Sequence, residues 1–305
     1  EFNIHSAFYP QDESLCLLPA IYLEMRINPS KPIRWVKPKF PTPKKVKLFL
    51  KLKRPDTDIQ VFCPNESDGL GGRIDLEYDV DLTPKLDHLP VDEKLAAASR
   101  KVHASERIIS LNPGAIPTSE GDGLQIELPV SEEGSGIKWR LVWGAFCGDP
   151  ILNIKQGNEV ERAKFRYASI WPSLDDVMYA AIKGRDERLV LSRNFEKLLE
   201  QAPLRAAQRH LLNQSFQQYL SNTFWCELPD RTDWFSVWEG SCFFHSTLDV
   251  EYNLTPMYLS LWPSLLAMQF DQWATRGETH EASNGMYLAH DLGVGFDALA
   301  YGRLE

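Results

Sequence analysis

The stretch Lys45-Val-Lys-Leu-Phe-Leu-Lys-Leu-Lys53 decides the first half of the fold, because basic and apolar residues alternate along it. A period of two residues is typical of a β-strand with one buried and one solvent-facing side. The same alternation occurs at Leu124–Val130 and at Lys138–Trp143. Turn-rich runs of glycine, proline, asparagine and aspartate separate these segments, which predicts short strands arranged as a β-sandwich.

The periodicity changes near residue 160. Ser173-Leu-Asp-Asp176 is similar to a capping box, and the apolar residues that follow it have helical spacing, which predicts a helix from that point. Three more helices are predicted near Asn194, after Pro203 and from about Pro256, the last with a kink at Pro263. Strands followed by helices predict two domains, a β-sandwich at 1–155 and a helical domain at 156–305. The helices alone allow either an open bundle or the first part of a larger helical array.

Charge and hydropathy limit the possible partners. The 305 residues carry a net charge of −9, which opposes general attraction to nucleic acid or to an anionic membrane. The longest apolar stretch, Tyr258–Met268, is shorter than the roughly 20 residues that a bilayer requires. We therefore expect a soluble protein with a neutral or weakly charged partner, and both a cytoplasmic and a mature secreted location remain open.

One basic segment departs from this balance. Residues 31–54 contain ten Lys or Arg, four prolines and no acidic residue. A nucleic-acid or heparin patch is one interpretation, and a solvated edge strand protected by Lys and Pro is the other. The edge strand is favoured because the rest of the chain is acidic.

Motifs for metals and cofactors are absent from the sequence. The five cysteines include no CxxC pair, and there is no GxSxG, Walker loop or HExxH. We therefore predict neither a metal nor a cofactor, and we expect the cysteines to be buried free thiols.

The segment 224–240 combines tryptophans with carboxylates. Trp225, Trp234 and Trp238 present flat apolar faces that suit stacking on a sugar ring, and nearby carboxylates suit its hydroxyl groups. The alternative is a long loop sealed by aromatic residues. Glu239 stands between Trp238 and Gly240, and a partly desolvated carboxylate is the group that glycosidases use for catalysis. Asp249, His290 and Asp291 are similar candidates, or they are structural hydrogen-bonding residues.

Four short motifs occur in order: Trp238-Glu-Gly240, His245-Ser-Thr-Leu-Asp-Val250, Tyr258-Leu-Ser-Leu-Trp-Pro-Ser-Leu-Leu266 and Ala289-His-Asp-Leu-Gly293. This order resembles the active-site half of glycoside hydrolase families 116 and 52, over residues 224–297. Those families usually have Glu-Tyr-Arg shortly after the Glu-Gly pair, where this chain has Ser241–Phe244. The resemblance is therefore to a divergent member of that clan.

The resemblance implies a fold and an activity. It implies an N-terminal β-sandwich joined to an (α/α)6 barrel, so that 156–305 would be the first part of that barrel. It also implies a retaining β-glucosidase or β-xylosidase that acts on a carbohydrate, with Glu239 as the nucleophile. Asp249, His290 and Asp291 would then bind or orient the sugar beside the tryptophans, with His290 rather than Asp291 favoured as the direct sugar contact.

Length limits this interpretation. Twelve helices of about 11 to 12 residues with their loops need roughly 300 residues, about twice the number of residues after position 155. We therefore expect the acid/base carboxylate and the remaining helices on a further polypeptide segment or chain. Two other functions stay open: an amidase of the glutaminase type on a similar helical barrel, and a non-catalytic carbohydrate-binding subunit.

Overall fold

The computed structural model describes residues 1–27, 45–55, 57–65, 67, 69–82, 101–129, 137–156, 159–240, 243–275, 278–280 and 285–298. Most of the predicted basic segment, at 31–44, lies outside the described residues, as do Asp56 and Cys242. Within the described part of the chain, no helix is long and apolar enough to cross a lipid bilayer.

Strands and helices are mixed along the described chain. The strands are β1 (Phe2–His5), β2 (Ala20–Ile27), β3 (Lys45–Lys51), β4 (Asp58–Phe62), β5 (Arg73–Asp81), β6 (Lys101–Ser110), β7 (Ile116–Pro117), β8 (Gly123–Pro129), β9 (Ile137–Phe146), β10 (Leu152–Gln156), β11 (Glu159–Phe165), β12 (Thr223–Glu227), β13 (Asp233–Glu239), β14 (Phe244–His245), β15 (Glu278–His280), β16 (Gly285–Tyr287) and β17 (Asp297–Ala298). The helices are α1 (Glu13–Leu17), α2 (Tyr167–Ile170), α3 (Leu174–Lys183), α4 (Arg185–Gln201), α5 (Ala206–Ser221), α6 (Leu248–Leu261) and α7 (Pro263–Thr275).

Two sheets face each other in the first half of the chain. An antiparallel sheet has the order β1-β2-β9-β6-β5-β4, and a smaller one has the order β3-β8-β7. Leu141 and Ile108 of the larger sheet share one core with Ile126 of the smaller sheet. β3 is an edge strand with exposed lysines, which confirms the edge-strand interpretation for its residues 45–51.

Helix α3 covers the other face of the larger sheet. Val142 and Ile109 each follow a residue of the first core, so their side chains point to the opposite face of the sheet. There they pack against Val177 and Met178 of the helix. Ser173 caps α3 by accepting a hydrogen bond from the Asp176 N–H at 3.2 Å, which confirms the predicted start.

Gly144 of β9 permits this contact between α3 and the sheet. A β-carbon at Gly144 would lie 2.5 Å from the sulfur of Met178. A larger residue at position 144 would therefore force the Met178 side chain to move.

A second sheet of six strands, in the order β14-β13-β12-β11-β10-β17, dominates the second half of the chain. All of its pairings are antiparallel except that of β10 with β17. Helices α6 and α7 cover one face, where Tyr258, Trp262 and Leu266 pack on Phe235 and Val237 of β13. The other face carries a core of residues that includes Leu152, Ala163, Cys226 and Trp234.

This sheet contradicts the predicted fold class. The described residues form a mixed α/β structure of about 38% strand and 34% helix with large antiparallel sheets, so the prediction of a β-sandwich followed by part of an (α/α)6 helical barrel is wrong. The physical reason lies in residues 223–239, which pair as the antiparallel hairpin β12–β13 with Trp234 to Val237 buried. The sequence itself suggests a sugar-stacking segment or a long loop sealed by aromatic residues there. The hairpin β10–β11 also spans residues 155 and 156, between which we placed the domain boundary.

The predicted helices occur with different bounds. The helix expected near Asn194 begins at Arg185, and the one expected from about Pro256 begins at Leu248, with Pro256 inside it. Pro263 starts the separate helix α7. Proline has no backbone N–H, and in the first turn of a helix this group would have no partner within the helix. Trp262 alone separates the two helices.

A buried carboxylate lies at the turn end of the β12–β13 hairpin. Glu227 is 3% exposed and accepts hydrogen bonds from Arg166 at 2.6 Å, Ser169 at 2.6 Å and Arg231 at 2.7 Å. Burial by itself raises the pKa of Glu227, but the hydrogen bonds from Ser169 and Arg231 and the two positive charges outweigh it and lower the pKa overall. The ionised carboxylate therefore joins the end of β11, helix α2 and the hairpin turn.

Replacing Glu227 with glutamine should lower the free energy of unfolding at pH 7 by about 3 kcal/mol, because it removes the charge that two guanidinium groups face. Because the pKa of Glu227 is lower in the folded state than in the unfolded chain, the ionised carboxylate contributes its full stabilisation above the ordinary carboxyl pKa. This stabilisation is lost as the pH falls through the folded-state pKa. The difference between wild type and Glu227→Gln should therefore shrink in acid, measured by urea unfolding at several pH values.

The matched control is Glu120→Gln, which breaks an exposed pair with Lys51 at 2.6 Å. It should cost less than about 1 kcal/mol and show little pH dependence. Equal effects of the two variants at neutral pH would contradict the role given to Glu227.

Candidate functional site

The predicted nucleophile, Glu239, is the last residue of β13. Its side chain is partly exposed, whereas Trp234 to Val237 before it are buried. Successive residues of a strand point to opposite faces, so Glu239 and its neighbour Trp238 lie on opposite faces of the sheet. Trp238 therefore cannot form a wall beside the Glu239 carboxylate on the same face.

Strand pairing brings His290 towards Glu239. Glu239 pairs with Phe244 of β14, and directly paired residues point to the same face. The ring of Phe244 meets the ring of His290 edge to face, with the centroids 5.9 Å apart. Glu239 and His290, which are 51 positions apart in sequence, thus both neighbour Phe244, one through strand pairing and the other through a ring contact.

Backbone hydrogen bonds hold residues 290–295 against β14. The N–H of Leu292 donates to the carbonyl of His245 at 2.9 Å, and the N–H of His245 donates to the carbonyl of Gly293 at 2.8 Å. Gly295 adds a third bond, from its N–H to the carbonyl of Phe243 at 2.9 Å. Gly293 and Gly295 have φ of 125° and 63°, a region that favours glycine. The Ala289-His-Asp-Leu-Gly293 motif is therefore anchored beside the end of β13.

A buried histidine organises the opposite face. His245 is fully buried, with its Nδ1 2.8 Å from the Ser236 hydroxyl and its Nε2 2.6 Å from the carbonyl of Gly295. A carbonyl only accepts, so a proton on Nε2 satisfies this contact and leaves Nδ1 to accept from Ser236. The indole N–H of Trp238 lies 2.9 Å from the same Nε2 and 3.1 Å from the carbonyl of Gly295. With Nε2 protonated, the indole donates to the carbonyl. His245 and Trp238 together tie the sheet to the 290–295 segment.

Asp291 is a buried carboxylate that holds its neighbouring residues in place. It is 1% exposed and accepts from the N–H of Gly293 at 2.9 Å, and its other oxygen lies 3.1 Å from Nδ1 of His290. His290 itself is partly exposed. Asp291 thus shapes the glycine turn and orients the imidazole, while His290 keeps an accessible edge.

Asp249 lies next to this motif, in the first turn of α6. The N–H of Leu248 donates to the carbonyl of His290 at 2.9 Å, which fixes the start of the helix to the 290–295 segment. The Asp249 side chain is exposed. The structure therefore brings Glu239, Asp249, His290 and Asp291 to one end of the second sheet.

The three tryptophans do not form one surface. Trp234 is 2% exposed and donates to the Ser236 hydroxyl at 3.1 Å, so it belongs to the core. Trp225 pairs with Phe235 and lies on the opposite face from Trp234 and Trp238. It lines a cavity of about 190 Å³ beside Phe235 and Trp262. A larger cavity of about 670 Å³, between β1 and helices α4 and α5, contains no predicted site residue.

Three residues were missed by the sequence reasoning: Ser236, His245 and Glu251. His245 begins one of the recognised motifs, but nothing in the sequence shows that both of its ring nitrogens are satisfied inside the protein. Glu251 is a carboxylate that is 2% exposed, seven residues before the buried Tyr258 on α6. That spacing places both residues on one helix face, which is the available signal of its burial. Among the described residues, no cluster of three or more His, Cys, Asp or Glu side chains fits a metal ion.

Removing both hydrogen-bond donors to the Gly295 carbonyl should lower the free energy of unfolding by more than the sum of the two single losses. His245→Leu should lower the free energy of unfolding by about 2 kcal/mol, and Trp238→Phe by about 1 kcal/mol. Each single variant leaves one donor to the carbonyl, whereas the double variant leaves none, so its loss should exceed the sum by about 1 kcal/mol. A double-mutant cycle in urea tests this, and strict additivity would contradict the shared acceptor.

No protein-family model matches this sequence, and no curated protein is significantly similar to it. The family resemblance of residues 224–297 therefore rests on the motifs themselves. The site's own residues and their geometry are therefore the basis for proposing its function.

Proposed function

We propose that the end of β13 carries the nucleophile of a retaining β-glycosidase that acts on β-glucosides or β-xylosides. The observation that carries the proposal is the convergence of Glu239 and His290 around Phe244, with both polar side chains partly exposed. Asp249, exposed and attached to the same segment through Leu248, adds a second polar group at this end of the sheet.

The chemistry assigns one step to Glu239. Its carboxylate attacks the anomeric carbon, a C–O bond to Glu239 forms, and the bond to the leaving oxygen breaks. His290 and Asp249 bind hydroxyl groups of the sugar, and Asp291 keeps His290 oriented. A second carboxyl group, about 5 to 5.5 Å from the first in retaining enzymes, gives its proton to the leaving oxygen and then, as a carboxylate, takes a proton from the attacking water. We propose that this acid/base lies on a further polypeptide segment or chain.

Rigidity of the surroundings supports the proposal. A nucleophile must be held close to its productive position, and elements of regular structure do this better than loops. Glu239 ends a strand, and the His290 segment is bonded to the neighbouring strand and to the start of α6. The aromatic cavity beside Trp225 lies on the same face of the hairpin as Glu239.

The test uses substrates whose departure needs no acid catalyst. Dinitrophenyl β-glucoside and β-xyloside release a stable anion, so formation of the glycosyl-enzyme depends on the nucleophile and not on the acid/base. We expect the protein to release at least one equivalent of dinitrophenolate. Glu239→Gln should reduce that rate by several orders of magnitude. A 2-fluoro glycoside should label the wild-type peptide that contains Glu239, detected by mass spectrometry.

Glu196→Gln, an exposed acid on α4, is the matched control and should release dinitrophenolate at the wild-type rate. Equal release by Glu239→Gln and wild type would overturn the assignment of the nucleophile. Hydrolysis of glutamine without glycoside labelling would favour the amidase. Sugar binding by calorimetry without any release would favour a non-catalytic binding subunit.

A further inference from the structure

A buried polar cluster lies behind the candidate site, between helices α6 and α7. Glu251 is 2% exposed, and the side chains around its carboxyl group, those of Ser246, Tyr258 and Gln269, are 1% exposed or less. Tyr219 of α5 extends the cluster, with its ring centroid 6.1 Å from that of Tyr258. A carboxyl group this deeply buried requires compensation by hydrogen bonds or by a neutral state.

Ser246 connects this cluster to the strand that carries Glu239. The Ser246 hydroxyl oxygen accepts the N–H of Val237 at 3.1 Å and the side-chain N–H of Gln269 at 3.3 Å. The Ser246 N–H donates back to the carbonyl of Val237 at 2.8 Å. Ser246 has φ of 45°, an unusual conformation for a serine, so the surrounding contacts must hold this corner in place. The contact between Val237 and Ser246 therefore lies two residues before Glu239 on β13 and three residues before Asp249 on α6.

Positive charge does not balance Glu251. Among the described residues, no Lys, Arg or His forms a salt bridge with it, and its Oε2 has no hydrogen-bond donor. Burial raises the pKa of Glu251, and the hydrogen bonds of Tyr258, Gln269 and Ser246 only partly oppose that rise. The titratable groups that face it are Tyr258 from its own helix and, through Tyr258, Tyr219 from α5. Burial raises the pKa of both, so both are uncharged at neutral pH.

More distant groups on the packed elements change this balance little. Cys16 of α1, beside Tyr219, is held as a thiol because burial raises its pKa to about 12. On β14, His245 is engaged with Ser236 and Gly295. The carboxylates of Asp249 on α6 and Asp271 on α7 are exposed.

Hydrogen-bond accounting favours a proton on Glu251. Glu251 Oε2, Gln269 Oε1 and the Tyr219 hydroxyl oxygen are all buried without a hydrogen-bond partner. A proton on Oε2 turns that oxygen from an acceptor into a donor, in a cluster with two other unpaired oxygens that can accept. A neutral carboxylic acid thus suits the cluster, whereas a carboxylate would leave a buried charge without a positively charged partner.

We propose that protonated Glu251 acts as a latch. While the carboxylic acid keeps its proton, Glu251 stabilises the turn at Ser246, and this turn holds the Glu239 end of β13 against the start of α6. Loss of the proton drives Glu251 towards water and loosens the Val237–Ser246 contact. The latch does not depend on what the Glu239 end binds, so it stands or falls separately from the glycosidase proposal.

The Val237 amide reports on the latch, because its proton is bonded to the Ser246 hydroxyl. We expect its protection factor, measured by NMR-detected hydrogen exchange and divided by the intrinsic rate at each pH, to be pH-dependent. Between the ordinary carboxyl pKa and the raised folded value, local opening should increase about tenfold for each pH unit. The sign follows because the folded state holds a proton that the open state releases, so protection falls as the pH rises.

Glu251→Gln keeps the size and a donor but cannot ionise, so its Val237 protection should be independent of pH. Asp271→Asn, an exposed acid on α7, is the control and should keep the wild-type slope. The same pH dependence in wild type and Glu251→Gln, or its loss in Asp271→Asn, would overturn the latch. If Glu251→Gln fails to fold, Ser246→Ala provides the second test, because it removes the hydroxyl that accepts the Val237 N–H. A pH dependence of Val237 protection that persists in Ser246→Ala would also overturn the proposal.

Discussion

The antiparallel register of β13 between β12 and β14 is the constraint on which the second half of the molecule depends. Trp225 opposite Phe235 and Trp238 opposite His245 assign every side chain of the hairpin to a face. One face receives helices α6 and α7, and the other closes over the core that contains Cys226 and Trp234. A shift of one residue would exchange the two faces, so burial on both sides fixes the register strongly.

This register also determines what each residue near Glu239 can do. The side chains that share a face with Glu239 come from alternate strand positions and from Phe244, not from its sequence neighbours. Trp238 serves the opposite face, where it and His245 bind the carbonyl of Gly295. The histidine network and the candidate site are thus two sides of one strand end, and the network stabilises the segment that presents His290.

Glu227 and Glu251 show how burial with different partners has opposite effects on the pKa of a glutamate. Glu227 meets two guanidinium groups and a hydroxyl, so the ionised form is favoured and its pKa falls. Glu251 meets hydroxyl and amide groups without a cation, so burial prevails and its pKa rises. The first closes a hairpin through charge, and the second gives the junction of β13 and α6 a proton-dependent contact.

Local patterns in the sequence were enough to predict the alternating strands β3, β8 and β9 and the start of α3 at Ser173, because side-chain periodicity and capping act within a few residues. The sequence also marked Glu239, Asp249, His290 and Asp291 as a group of polar residues in ordered motifs. It could not predict that residues 223–239 form a sheet hairpin, that Trp225 and Trp234 lie on opposite faces, or that Glu251 is buried. Those features depend on contacts between residues far apart in the chain, such as Phe244 with His290 and Gln269 with Ser246. Only the tertiary structure decides them, because burial and hydrogen-bond partners are set by which surfaces pack together.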